Sequence, residues 1–182
     1  MSGQKSVGKQ LDSQLLYERQ KALRASKTYF PAPAVVVVGL QVAENVGGVL
    51  RLADAAGSAK VIFLHNDENR DYPLRRIHRT ARNSEALVEW ELQDQRQFLE
   101  SYHLLKPLIA LELTTVSTSI FAYDLPKGCT FLVGNESHGI PPDLLSECQN
   151  ALHIPMYGVN GSMNVTHATA IALFEWRRQH SE

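Results

Sequence analysis

Three short polar stretches carry residue types that could do chemistry, and each follows an apolar run. QVAENVGGVLR (41–51) sets Asn45 and Arg51 around a Gly-Gly pair. GNESHGIPP (134–142) holds Asn135 and Glu136 between Gly134 and Gly139. NGSMNVTHATA (160–170) alternates Asn160, Ser162 and Asn164 ahead of a small-residue apolar pattern. A guanidinium fork binds phosphate or carboxylate at two points. A carboxylate on a strand-end turn can bind a ligand hydroxyl, orient an arginine, or cap the helix that Pro141 and Pro142 open. Asn45, Ser162 and Asn164 suit helix caps and equally suit a ligand, while Gly47 and Gly48 let backbone or ligand come close. The second stretch lacks both G-x-G-x-x-G spacing and a P-loop lysine, which argues against a dinucleotide or nucleoside-triphosphate cradle. Singly, each stretch also reads as a surface arginine, a cap or a turn. Together they point to one composite site.

The elements that must position them are legible as apolar runs. AVVVVGL (34–40), KVIFLH (60–65), PLIALEL (107–113), CTFLVGN (129–135) and ALHIPM (151–156) read as buried strands, with another at 87–92. Helical patterns occupy 11–27, 45–56 (closed by Gly57 as C-cap), 93–105, a short segment from Pro141, and 164–179. Strands alternating with helices predict an α/β fold with a mostly parallel sheet flanked by helices. Ligands of such sheets bind beyond the carboxyl ends of the strands, where the three polar stretches fall.

With 182 residues, 44% hydrophobic and 20% charged, the chain reads as one domain with a short appendage and a proper core. Two cysteines, Cys129 and Cys148, make no disulfide framework and have no metal-ligand spacing, so a reduced cytoplasmic protein without a metal is expected. The polar N-terminus and the lack of a long apolar run predict neither secretion nor membrane insertion. The net charge of −1 announces no polyanionic partner, but its distribution is uneven. Residues 1–30 hold six basic side chains against Asp12 and Glu18, and Arg75, Arg76, Arg79 and Arg82 cluster with His78. If that cluster is helical, Arg75, Arg79 and Arg82 share a face. Charge alone leaves a phosphate-binding patch and a merely solvated face equally open.

NVGGVLR, FLVGNESHG and IPMYGVNGSMNVTHATAIALFEW, in that order, resemble the three signature motifs of the SPOUT methyltransferases, closest to the TrmH/SpoU branch. The resemblance covers about residues 35–178. It implies a C-terminal deep trefoil knot within a domain spanning 35–182, preceded by a basic helical extension at 1–34. It further implies a homodimer that uses S-adenosylmethionine to methylate the ribose 2′-OH of structured RNA, tRNA ahead of rRNA. Carried over by motif, Asn45, Arg51, Glu136, Ser162 and Asn164 are the catalytic set. Leu111, Gly134, Ile154 and Met163 hold the cofactor, with Met163 where leucine is usual, a swap that apolar packing tolerates. Arg75, Arg76, Arg79 and Arg82 would then hold the RNA backbone. Arginine keeps its proton up to a pH of about 12 in water, so Arg51 acts either as an unusual base or as a fork on a neighbouring phosphate. An rRNA substrate and a catalytically silent RNA-binding module are the alternatives, and the presence of all five catalytic-type residues argues against the second.

Overall fold

Five consecutive β-branched or small residues, AVVVV, leave nothing to face water, and they form the buried strand β1 (Ala34–Val38). The computed structural model describes residues 8–26, 29–65, 72–105, 107–135 and 137–181. Two compact units divide the chain, residues 1–30 and 31–182. In the first, helix α1 (Ser13–Arg24) is capped by Asp12, whose carboxylate accepts from the backbone N–H groups of Gln14 and Leu15, both at 3.0 Å.

In the second unit β1 is followed by α2 (Ala43–Ala56), β2 (Val61–His65), α3 (Leu74–Ala81), β3 (Trp90–Asp94) and α4 (Gln95–Ser101). Then come β4 (Leu108–Leu111), β5 (Thr118–Ser119), β6 (Thr130–Val133), α5 (Pro142–Leu145), β7 (Asn150–His153) and α6 (Val165–His180). The strands form a seven-stranded sheet in the order β3-β2-β1-β6-β4-β7-β5, and every pairing is parallel. Along β1 the side chains alternate between two cores, as the pleat demands. Val35 and Val37 join Phe63, Phe131 and Trp176 on the α2–α6 side, whereas Val36 and Val38 join Ile62, Leu132, Phe98 and Leu144 on the α4–α5 side. Trp176 is fully buried, and its indole N–H is satisfied by the Pro126 carbonyl at 2.9 Å.

The predicted parallel α/β architecture is present, with informative differences in detail. Gly57 does close α2 in the left-handed conformation, φ 69°. The helix begins two residues earlier than expected, however, with Val42 at its N-cap, so Asn45 sits in the first turn rather than capping it. Gly47 and Gly48 serve helix packing rather than ligand approach. A side chain at Gly47 would collide with Thr80 and the α3 backbone at Ile77 and Ala81, and one at Gly48 would meet Thr166 Cγ2 of α6 at 2.8 Å. Helix α3 stops at Ala81, and Arg82 turns left-handed (φ 54°, ψ 44°), so it leaves the face expected for Arg75, Arg79 and Arg82. The strand expected at 87–92 is β3 and displaces the start of the following helix to Gln95, while the two-residue β5 was not foreseen. Burial pushes the Cys129 thiol up to about 12 and that of Cys148 to about 11, so neither offers a ready thiolate.

Candidate active site

The carboxyl ends of β4, β6 and β7 open into a cavity of about 520 Å³. Each strand is a short apolar run that hands over abruptly to a polar turn, so the cavity has apolar walls and a rim of main-chain and polar groups. Leu111 ends β4, Gly134 follows β6, Ile154 follows β7, and Ser162 and Met163 lie just before α6; all five line the cavity. The expected cofactor-binding residues are thus brought together, joined by Ser162 from the expected catalytic set.

The turn after β6 is built by its own backbone. Asn135 and Gly139 exchange hydrogen bonds, N–H of Gly139 to the Asn135 carbonyl at 2.8 Å and the reverse at 3.3 Å. Gly139 takes φ +65°, a conformation that favours glycine. Asn135 is buried, and its amide donates to the Gly39 carbonyl beyond β1 at 2.8 Å, tying the turn after β6 to the end of β1. Glu136 lies outside the described residues.

Asn164 is the N-cap of α6: its side-chain oxygen accepts from the Thr166 N–H at 2.8 Å and from the Thr166 hydroxyl. Its amide nitrogen reaches Asn45 Oδ1 at 3.3 Å, a contact between residues 119 apart in sequence. The first and third stretches therefore meet through these two asparagines. Ser162 is exposed and does not cap the helix. Arg51 stands exposed on α2, one turn beyond Gly48, outside the cavity lining, and its guanidinium makes no hydrogen bond or ion pair among the described residues.

The arginines of α3 are all exposed. Arg79 pairs with Glu44 of α2 at 3.1 Å and Arg76 approaches the same carboxylate oxygen at 3.8 Å. One residue of the site went unread in the sequence. Glu112, the first residue past β4, lines the cavity and accepts from the Ile140 N–H at 3.1 Å and from the Leu113 N–H at 3.0 Å. The charged residue interrupting the apolar run PLIALEL one place before its end is the available signal, masked because the pattern predicts strand throughout the run.

Comparison with known proteins adds independent information. A tRNA (guanosine(18)-2'-O)-methyltransferase of Saccharomyces cerevisiae is 32% identical over 143 residues, covering 75% of this chain and 10% of the relative. The enzyme of the same name from Aquifex aeolicus is 27% identical over 138 residues, covering 76% of this chain and 65% of the relative. The chain thus spans under two thirds of the length of each. The crystal structure of an AdoMet-bound rRNA methyltransferase from Sinorhizobium meliloti superposes with a TM-score of 0.75 at 26% identity, covering 88% of this chain and 61% of that one. The family model of the SpoU rRNA methylases matches residues 32–174, which takes in all three polar stretches and every strand of the sheet, and the chain belongs to that family.

Proposed function

We propose that this protein transfers a methyl group from S-adenosylmethionine to the ribose 2′-OH of a nucleotide in RNA, with tRNA as the first substrate class. The observation that carries the reading is the cavity shared by Leu111, Gly134, Ile154, Ser162 and Met163, formed by the turns that the family resemblance assigns to the cofactor. Its size suits a ligand of this class, and apolar walls with a main-chain rim suit an adenosine flanked by polar groups. When bound, the cofactor supplies an electrophilic methyl group. The protein's contribution is to bind, to align and to keep water out. Ser162 lines the cavity, and Asn164, two residues on and outside the lining, is held by its capping bond and by Asn45 and is assigned to the ribose side. Arg51 is assigned to the RNA side, where a fork on a phosphate or a proton-accepting role would bring the hydroxyl into line. Glu136 keeps its assignment by motif.

The two curated relatives are named for tRNA, and the structural neighbour for rRNA, so both RNAs belong in the test. Labelled cofactor, total tRNA and rRNA are incubated with the protein, and nuclease digestion identifies the product. A 2′-O-methylated nucleoside from tRNA is the expected result; label on a base, or on no RNA, refutes the reading.

The exposed arginines support an RNA-backbone surface. Glu44 and Arg51 are seven residues apart on α2 and share a face, and Glu44 gathers Arg76 and Arg79 beside it. One carboxylate against two guanidiniums leaves a net positive charge and free donors. Arg75 extends the patch along α3, Arg82 sits at its left-handed end, and the basic extension at 1–34 is proposed to add to RNA affinity. Replacing both Arg76 and Arg79 by alanine should weaken RNA binding and lower the slope of log K against log salt by about 1–2. Titrations at several salt concentrations check this, and an unchanged slope removes the two arginines from the interface.

We infer in addition a deep trefoil knot in the C-terminal part, a homodimer and a cytoplasmic setting. The position of β6 between β1 and β4, with α6 returning from the far β7 to pack on α2, supports the knot. Tyr157, Val159 and Val116 are almost wholly exposed, and Phe174 of α6 is half exposed, apolar side chains that a second copy would cover. Sedimentation at micromolar concentration should show a species of twice 20.3 kDa; a monomer alone speaks against it. No helix among the described residues is long and apolar enough to cross a membrane.

A further inference from the structure

Glu112 is at odds with the rest of the cavity wall. The described residues around it are apolar, small or neutral, apart from His153; none is a lysine or arginine, and Glu112 is the one that carries a carboxylate. Its carboxylate accepts from two backbone N–H groups, Ile140 on one oxygen at 3.1 Å and Leu113 on the other at 3.0 Å. A carboxylate has about four lone-pair sites, so acceptor capacity remains on a half-buried group bordering the cavity. The position is rigidly held: the Glu112 N–H bonds to the Leu152 carbonyl of β7 at 2.8 Å, and Gly139 packs so closely that a Cβ there would lie 2.6 Å from Glu112 Oε2. A negative charge fixed by three strand ends, with no lysine or arginine among the described residues of the wall, calls for a cation from the ligand.

We propose that Glu112 is the counter-charge of the cofactor cavity and selects the positively charged methyl donor over its demethylated product. The proposal rests on the cofactor assignment made above. The donor carries a sulfonium, and after transfer the same sulfur is an uncharged thioether; the amino-acid and nucleoside parts are otherwise unchanged. A cavity of this volume is only roughly 10 Å across, and at an effective dielectric near 20 a unit charge even at the far wall feels Glu112 by about tenfold in affinity. The carboxylate thus helps capture the donor and withdraws that help once the methyl group has left, which favours product release. It is a specificity residue, separate from those that act on the ribose.

Calorimetric titration of the full chain with S-adenosylmethionine and with S-adenosylhomocysteine, for the parent and for Glu112→Gln, tests this without any turnover. Glutamine keeps an oxygen for the Ile140 N–H and removes the charge. The expected result is that Glu112→Gln lowers the ratio of donor to product affinity about tenfold, through loss of donor binding, while product binding stays within about twofold. Retained product binding also reports that the variant is folded. Equal weakening of both ligands, or no change in either, overturns charge selection and leaves Glu112 as a staple between turns. A parent protein that binds neither ligand overturns the cofactor assignment itself, and the role of Glu112 with it.

Discussion

Arg51→Ala is expected to lower methyl transfer to tRNA by about 10²–10⁴-fold, the range seen when a positioned proton-transfer or charge-stabilising group is removed. The expectation is sharp because little else should change. Arg51 is exposed on α2, makes no hydrogen bond or ion pair among the described residues, and does not line the cavity. Alanine is the best helix former, so unfolding should shift by no more than about 0.5 kcal/mol. Calorimetry should show cofactor affinity unaltered, and kinetics should divide the loss. A fork on an RNA phosphate predicts a raised KM and a weaker salt dependence, whereas a group acting on the hydroxyl predicts a loss confined to kcat. Arg51→Lys keeps the charge without the planar fork, so substantial recovery favours the electrostatic role. Activity within about threefold of the parent removes Arg51 from the chemistry.

The second large effect is expected at Gly134. Its backbone is not left-handed, so an added methyl group is not opposed by its own torsion angles. It is opposed by the turn folded over it: a Cβ there would meet the Gly139 carbonyl carbon, the Ile140 nitrogen at 2.6 Å and the Gly139 oxygen at 2.7 Å. Backbone atoms held by the Asn135–Gly139 pair and by Glu112 have nowhere simple to move. Gly134→Ala should therefore cost about 1–3 kcal/mol of stability through overpacking and reduce cofactor binding more than tenfold by shifting the cavity wall. Gly161 lines the same cavity and has nothing within 4 Å of its would-be Cβ. Gly161→Ala should bind the cofactor much as the parent does. Thermal unfolding and calorimetry on the two variants decide the matter, and equal behaviour would show that the turn is not a rigid wall.

The parts of the site that could be read from the sequence are those carried by strand ends. Leu111, Gly134 and Ile154 lie at or near the ends of apolar runs, which in a parallel sheet gather at one edge whatever the strand order, while Met163 lies in the polar stretch beyond the last run; the motif resemblance is what singles out all four. The motifs then attached chemistry to the positions. What stayed hidden depends on neighbours remote in sequence. Gly47 and Gly48 looked like room for a ligand because nothing local announces that α3 and α6 press on α2 there. Asn45 looked like a cap because its partner Asn164 lies across the fold. Arg82 looked helical because a left-handed turn at a non-glycine residue, continued by Asn83 at φ 76°, has no firm local signature. Glu112 was absorbed into a strand, since periodicity reports burial and not what the end of a strand faces. The order of the strands was beyond any such reading.

That order also bears on how the molecule is made. β1 at residues 34–38 pairs in register with β6 at 130–133, and the cavity closes only when residues 154–168 have joined it. During synthesis from the N-terminus, one side of β1 stays without its partner until nearly a hundred further residues have emerged. Its valines and hydrogen-bonding groups are exposed to association for that interval. Contacts so remote in sequence favour slow folding. Ligand binding cannot assist until the last helix is in place, so a nascent or truncated chain lacking α6 should gain no protection from the cofactor.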